Sequence, residues 1–217
     1  MLTRSRIAGG LVLVLGASAL AGFAVSTGFG FYISQSNNPD NTFTSAPSFA
    51  NTGYRSPSAH AATSGGDGNG FELDPTYAYS DDSLYASNID GPGDRHLYYD
   101  YDFDVSLPSG STINGIRVRV DWWLDGVGGD NSLGVELWWA GGASWTALKI
   151  DATETTSEHT VTLGGAADTW GKIWTVGELS NANFRVRLTC NCSGGAECDS
   201  RDYYLDWVAV NVFYTPP

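Results

Sequence analysis

Two adjacent tryptophan pairs, Trp122-Trp123 and Trp138-Trp139, are the residues of this chain best suited to hold a ligand. In a β-strand successive side chains point to opposite faces, so one ring of each pair goes to the core and the other goes outward. An outward indole can stack on a sugar ring, meet another protein, or be shielded by a loop of its own domain. Trp123 and Trp138 are the candidate outward rings. A second set is rich in oxygen: "YSDDSLY", with Asp81 and Asp82, and "DGVGGDN" put carboxylates and carbonyls into turns. That is the setting Ca2+ uses; neither stretch matches an EF-hand loop, and solvated acidic turns share the composition.

The sulfur chemistry lies in "CNCSGGAEC", with Cys190, Cys192 and Cys198 inside nine residues. In an oxidising compartment this spacing predicts a local disulfide, Cys190 to Cys198 or Cys192 to Cys198, with one thiol left over. No His stands nearby at ligand spacing, which disfavours a metal. Catalytic constellations are missing. There is no Gly-x-Ser-x-Gly turn, no His-Glu-x-x-His and no phosphate-binding Gly loop, and His60, His96 and His159 stand apart from one another. The chain reads as a binding or building module and not as an enzyme.

The elements that must position these residues are strands. The 217 residues include 27 Gly and 19 Trp plus Tyr, only two Lys, and no apolar helical periodicity beyond the N-terminus. Alternating patterns run over Leu97–Val105, Ile113–Leu124, Leu133–Ala140, Ser144–Ile150, His159–Leu163, Phe184–Cys190 and Tyr203–Tyr214, separated by Gly-containing turns. About eight strands are expected, which is the size of a two-sheet, jelly-roll-like β-sandwich: an all-β fold. In "LYYDYDFDV" the alternation groups Leu97, Tyr99, Tyr101, Phe103 and Val105 on one side. In "IRVRVDWW" it puts Ile116, Val118, Val120 and Trp122 inward and Arg117, Arg119, Asp121 and Trp123 outward. Rows of Arg and Asp on different strands predict cross-strand charge pairing.

The formal charge is −13, and −15 without Arg4 and Arg6. Such a surface repels phosphate backbones, so nucleic acid is excluded as a partner and cations are favoured. Arg4 and Arg6 precede "IAGGLVLVLGASALAGFAV", an uncharged run of nineteen residues with small residues near its end. This predicts a signal peptide removed on secretion, with a retained anchor as the alternative. Phe23 stands where a lipoprotein would need Cys. Residues 1–30 are thus a signal or apolar helix, 31–70 a Ser/Asn/Gly-rich arm, and 71–217 the sandwich. Any membrane contact would be through residues 1–30, if they are retained.

Two resemblances add to this reading. "PTYAYSDDSLYAS", "LPSGSTINGIRVRVDWW", "TVTLGGAADTWGKIWTVGELSNANFRVRL" and "YYLDWVAVNVFY" resemble a recurrent β-sandwich of secreted bacterial and phage-associated proteins. "LDWVAV" is similar to the last strand of jelly-roll carbohydrate-binding modules, in which the matching Asp helps hold a structural Ca2+. That resemblance implies Asp206 as a ligand, with Asp81 or Asp82 as partners. The N-terminal pattern of an apolar signal, Phe31 and "NTF" (Asn41–Phe43) resembles the TasA and camelysin group of biofilm-matrix fibre proteins. It implies that the freed arm adds as a strand to the next subunit.

The expectation is therefore a secreted structural subunit of an extracellular or cell-surface assembly. It would self-associate through the arm residues Asn41, Thr42, Phe43, Thr44 and Phe49, whose backbone would pair with a neighbour's open sheet edge. The alternative is a carbohydrate-binding or adhesin module using Trp123 or Trp138 on glycans.

Overall fold

The computed structural model describes residues 49–217 other than 90, 143 and 195–199. Ten strands form two antiparallel sheets. The first has the order β1 (Ala50–Asn51), β10 (Tyr203–Thr215), β5 (Thr112–Leu124) and β8 (His159–Gly164), with β3 (Ala86–Asn88) also paired to β10. The second has the order β2 (Ala59–Thr63), β4 (Arg95–Tyr99), β9 (Phe184–Asn191), β6 (Ser132–Trp139) and β7 (Lys149–Asp151). The fold is an all-β two-sheet sandwich.

The two long strands of the first sheet follow from alternation. On β5, Ile116, Val118, Val120 and Trp122 are fully buried, and they lie against Leu133, Val135, Leu137, Val186 and Leu188 from the second sheet in one core. Each such aliphatic side chain contributes about 1.5–3 kcal/mol by leaving water. Trp122 stacks on Tyr203 at 6.0 Å between ring centres and donates its indole N–H to Asp151 Oδ2 at 2.8 Å. On β10 the inward series Tyr203, Leu205, Val208, Val210 changes step once, because a β-bulge makes Asp206 an extra residue between Leu205, opposite Trp122, and Trp207, opposite Asp121.

Three expectations change. The sandwich begins before residue 71: β1 pairs with the C-terminal end of β10, Arg55 bridges Val210, and β2 forms an edge of the second sheet. Small residues such as Ala59, Ala61 and Ala62 give an edge strand little apolar signal, so the segment reads as linker in sequence. The faces of β4 are reversed: His96 and Tyr98 are buried while Leu97 and Tyr99 are half-buried. Asp100 and Asp102 both have left-handed backbone, φ 62° and 57°, which short polar side chains tolerate. Each breaks the alternation, so Tyr101 and Phe103 return to the core while Val105 is exposed. Third, the strand read over Ser144–Ile150 is confined to β7, and Trp145 lies in the loop before it.

Candidate functional site

The outer face of the second sheet is built by register. Tyr99 on β4 lies opposite Arg185 on β9, which lies opposite Trp138 on β6; in the next row Leu97 meets Arg187, which meets Glu136. These residues alternate with the buried Tyr98, Val186, Leu188 and Leu137, so they face outward. The edge strand adds only Ala59 and Ala61 to the two rows, which leaves the rings beside low side chains. Trp145 comes back from its loop to lie over Arg187, 3.9 Å from guanidinium carbon to ring centre, and 6.2 Å from the Trp138 ring. Arg187 donates from Nε and Nη2 to Glu136 Oε2 at 2.9 and 2.6 Å. Arg185 lies 4.2 Å over Tyr99 and donates to the Asn181 and Phe184 carbonyls. Three aromatic rings are thus fixed around charged groups whose positions are set by ion pairs and backbone, an arrangement able to present both stacking surfaces and hydrogen-bonding groups.

Trp123 does not belong to this face. It is on β5, in the other sheet, and packs against Tyr85 and Tyr204 at 5.0 and 5.5 Å. It is half-buried under a loop of its own domain, so the two candidate tryptophans form no common platform.

The acidic residues divide similarly. Asp82 is used within its own turn, accepting from the Leu84 N–H at 3.0 Å and the Ser80 hydroxyl at 2.7 Å. Asp206 is fully buried at the bulge and accepts from the Asp82 and Ser83 backbone N–H groups at 3.4 and 3.2 Å; burial raises its pKa. Of the three residues expected to share a Ca2+, only Asp81 meets other carboxylates at ligand spacing, those of Asp121 and Glu158, all within 4.8 Å. Arg119 sits in the middle of that group, with Nη2 at 2.8 Å from Asp81 and 2.9 Å from Asp121. Burial pulls the guanidinium's pKa down, but Asp121 and Asp81 outweigh it and hold the group charged. The chain thus places a cation of its own against Asp81 and Asp121. Sequence reading missed Asp121 as a member because its face is outward, yet it is 0% exposed.

Asn41, Thr42, Phe43 and Thr44 lie outside the described residues. Phe49 is 66% exposed, and the two residues after it pair with Tyr214 and Phe213 of the same chain. Cys190 is a free, fully buried thiol, so the Cys190–Cys198 pairing is not formed. Cys198 lies outside the described residues. A surface hollow of about 350 Å3 beside Asn131 and Ser132 contains Glu154, but that carboxylate is committed to the Gly128 and Asn131 N–H groups at 2.7 and 2.6 Å.

No family model and no curated protein matches this sequence. Among solved structures, a CBM35 from Cellvibrio japonicus Abf62 is similar at 12% identity, covering 78% of this chain and 99% of that chain with a TM-score of 0.38. The CBM32 of AlyQ, in complex with 4,5-unsaturated mannuronic acid, is similar at 14% identity, 72% and 96% coverage and a TM-score of 0.36. The CBM6cm-2 module of Cellvibrio mixtus lichenase 5A, in complex with cellotriose, gives 14%, 74% and 96%, and 0.31. Scores this low leave the function to be argued from the chain's own residues.

Proposed function

We propose that this domain is a non-catalytic glycan-binding module, working outside the cell or at its surface, whose binding face is the outer surface of the second sheet. The observation that carries the reading is the grouping of Trp138, Trp145 and Tyr99 around Arg185, Arg187 and Glu136, beside the low Ala59 and Ala61. Indole and phenol rings stack on the apolar face of a pyranose, while a guanidinium and a carboxylate offer donors and acceptors to its hydroxyls. Arg187 and Glu136 are held by each other and by Trp145, so little side-chain entropy is lost when a sugar docks. Secretion is carried forward from Arg4, Arg6 and the apolar run; no helix among the described residues is long and apolar enough to cross a membrane. Strand addition by the arm is the weaker reading, because the described chain from Ala50 onward already pairs in cis.

The test is a glycan array probed with the full chain, followed by titration of the best hit. Trp138→Ala and Trp145→Ala are each expected to weaken binding ~30-fold, the ~2 kcal/mol of a buried aromatic anchor, while Trp123→Ala leaves it unchanged. Absence of any glycan hit, or a loss caused by Trp123→Ala alone, overturns the proposal.

A further inference from the structure

A second group of carboxylates lies where residues 64–72 meet residues 88, 89 and 91–94. Asp94 is 1% exposed and Asn88 0%. One oxygen of Asp94, Oδ1, accepts from the Asp67 and Gly68 backbone N–H groups at 2.8 and 3.3 Å. The other, Oδ2, is buried and among the described residues receives no hydrogen bond; the same holds for Asn88 Oδ1 and Glu72 Oε2. Glu72 Oε1 accepts from the Ile89 N–H at 2.9 Å, which ties that carboxylate to the second segment.

The orientation of Asn88 is fixed by chemistry. Its Nδ2 donates to the Gly91 carbonyl and to the Cys190 sulfur, both at 3.4 Å. A carbonyl only accepts, so turning the amide over would set oxygen against oxygen. Asn88 Oδ1 must therefore point the other way, and a methyl placed on Gly91 would strike both this atom and Asp94 Oδ2. Two buried acceptors thus crowd the same side of one glycine, and no donor among the described residues reaches either of them. Leaving such groups without a partner is costly. No Lys or Arg among the described residues forms an ion pair with Glu72 or Asp94, in contrast to Arg119 at Asp121.

We propose that Asn88 Oδ1, Asp94 Oδ2 and Glu72 Oε2 are ligands of a hard divalent cation of the Ca2+ class, which joins the two segments. The donor set is oxygen only, as Ca2+ prefers. The neighbouring Cys190 sulfur accepts the Asn88 Nδ2–H, so it faces the amide nitrogen and not the Oδ1 side of the site. The site shares no residue with Asp81, Asp121, Glu158 and Asp206. The rival occupant is a proton on Asp94 that donates to Asn88 Oδ1.

The experiment is thermal unfolding and calorimetric titration of the full chain, stripped with EDTA and dialysed, then given CaCl2 alone. Ca2+ at ~100 times its Kd is expected to raise Tm by roughly 6–10 °C. Asp94→Asn abolishes that shift and leaves the Ca2+-free Tm equal to or above the stripped wild type, since an amide can donate to Asn88 as a protonated carboxyl would. Glu72→Gln weakens Ca2+ at least tenfold and gives a second reading if Asp94→Asn does not fold. Glu158→Gln leaves the response intact. The proposal is overturned by the absence of a shift at millimolar CaCl2, which assigns the place to the proton, or by a response that survives Asp94→Asn or disappears in Glu158→Gln.

Discussion

Asp121 and Asp94 are both buried carboxylates surrounded by other acidic groups, and the chain treats them in opposite ways. At Asp121 the neighbours are Asp81 and Glu158, and Arg119 is bonded to Asp81 and Asp121. At Asp94 the neighbours are Glu72 and Asp67, and backbone N–H groups are the donors. A carboxylate cluster that contains its own guanidinium has its buried member compensated and holds a turn onto a sheet. A cluster without one has to recruit a proton or a metal ion. Acidity alone therefore says little about cation binding; what decides it is whether a cation from the chain reaches the buried oxygen.

The largest effect that would break this contrast comes from removing the internal cation. Arg119→Ala leaves Asp121 buried without its partner, a change expected to cost about 3 kcal/mol, measured as a fall in the urea midpoint at constant m. Part of that cost is lost packing, because the guanidinium also lies 4.6 Å over the Trp207 ring. At Asp94 the equivalent loss should follow from EDTA, with no substitution at all. If Arg119→Ala is silent, the two clusters are alike and the contrast fails.

A smaller effect separates both carboxylate clusters from another buried titratable group, His96. Its Nδ1 accepts the Phe71 N–H at 3.0 Å and its Nε2 lies 3.0 Å from His60 Nδ1, so the ring is held neutral with its proton on Nε2. Burial, and then the nearby His60, lowers its pKa to about 3. Below the unfolded value of ~6.5 the unfolded chain takes up a proton that the native chain refuses. The stability this neutral ring provides is complete above pH 6.5 and is lost as pH falls toward 3, by up to ~1.4 kcal/mol per pH unit. His96→Asn should flatten that part of the pH–stability curve; an unchanged slope would remove His96 as its source.

How much of this was legible depends on how local the cause is. β5 and β10 show in the sequence because one residue in two enters the same core, and even the bulge at Asp206 is visible as a three-residue step from Leu205 to Val208. β2 does not show, because an Ala-rich edge strand gains its identity from the Tyr99, Leu97 and Arg95 it pairs with. The glycine-rich "TSGGDGNG" reads as linker, but its turns carry the N–H groups that hold Asp94, and Gly66 has no room for a side chain against that carboxylate. Trp138 could be picked out by strand alternation, whereas Trp145 could not, since a loop and not a strand brings it over Arg187. Glu72 comes from a different segment from Asn88 and Asp94, and the three carry no spacing motif, so only the folded arrangement of their unbonded oxygens singles them out.

The smallest expected effect tests the same contrast with the opposite sign. Glu158 is exposed and its pKa is raised, first by partial burial and then by Asp206, Asp121 and Asp81, against a weaker pull from Arg119. A carboxyl whose folded pKa lies above its unfolded value is a cost when ionised: the penalty is present above the folded pKa and is relieved as pH falls toward the unfolded one. One guanidinium therefore serves more carboxylates than it can neutralise, and Glu158, the most weakly held, is in excess. Glu158→Gln should then be neutral or stabilising by roughly 0.5 kcal/mol or less, because water screens an exposed group. The gain should appear at pH 7 and vanish near pH 4, where wild-type Glu158 is itself protonated. A clear loss of stability at pH 7 would mean that Glu158 holds a favourable partner, and the cluster at Asp121 would then be fully compensated, with no carboxylate in excess.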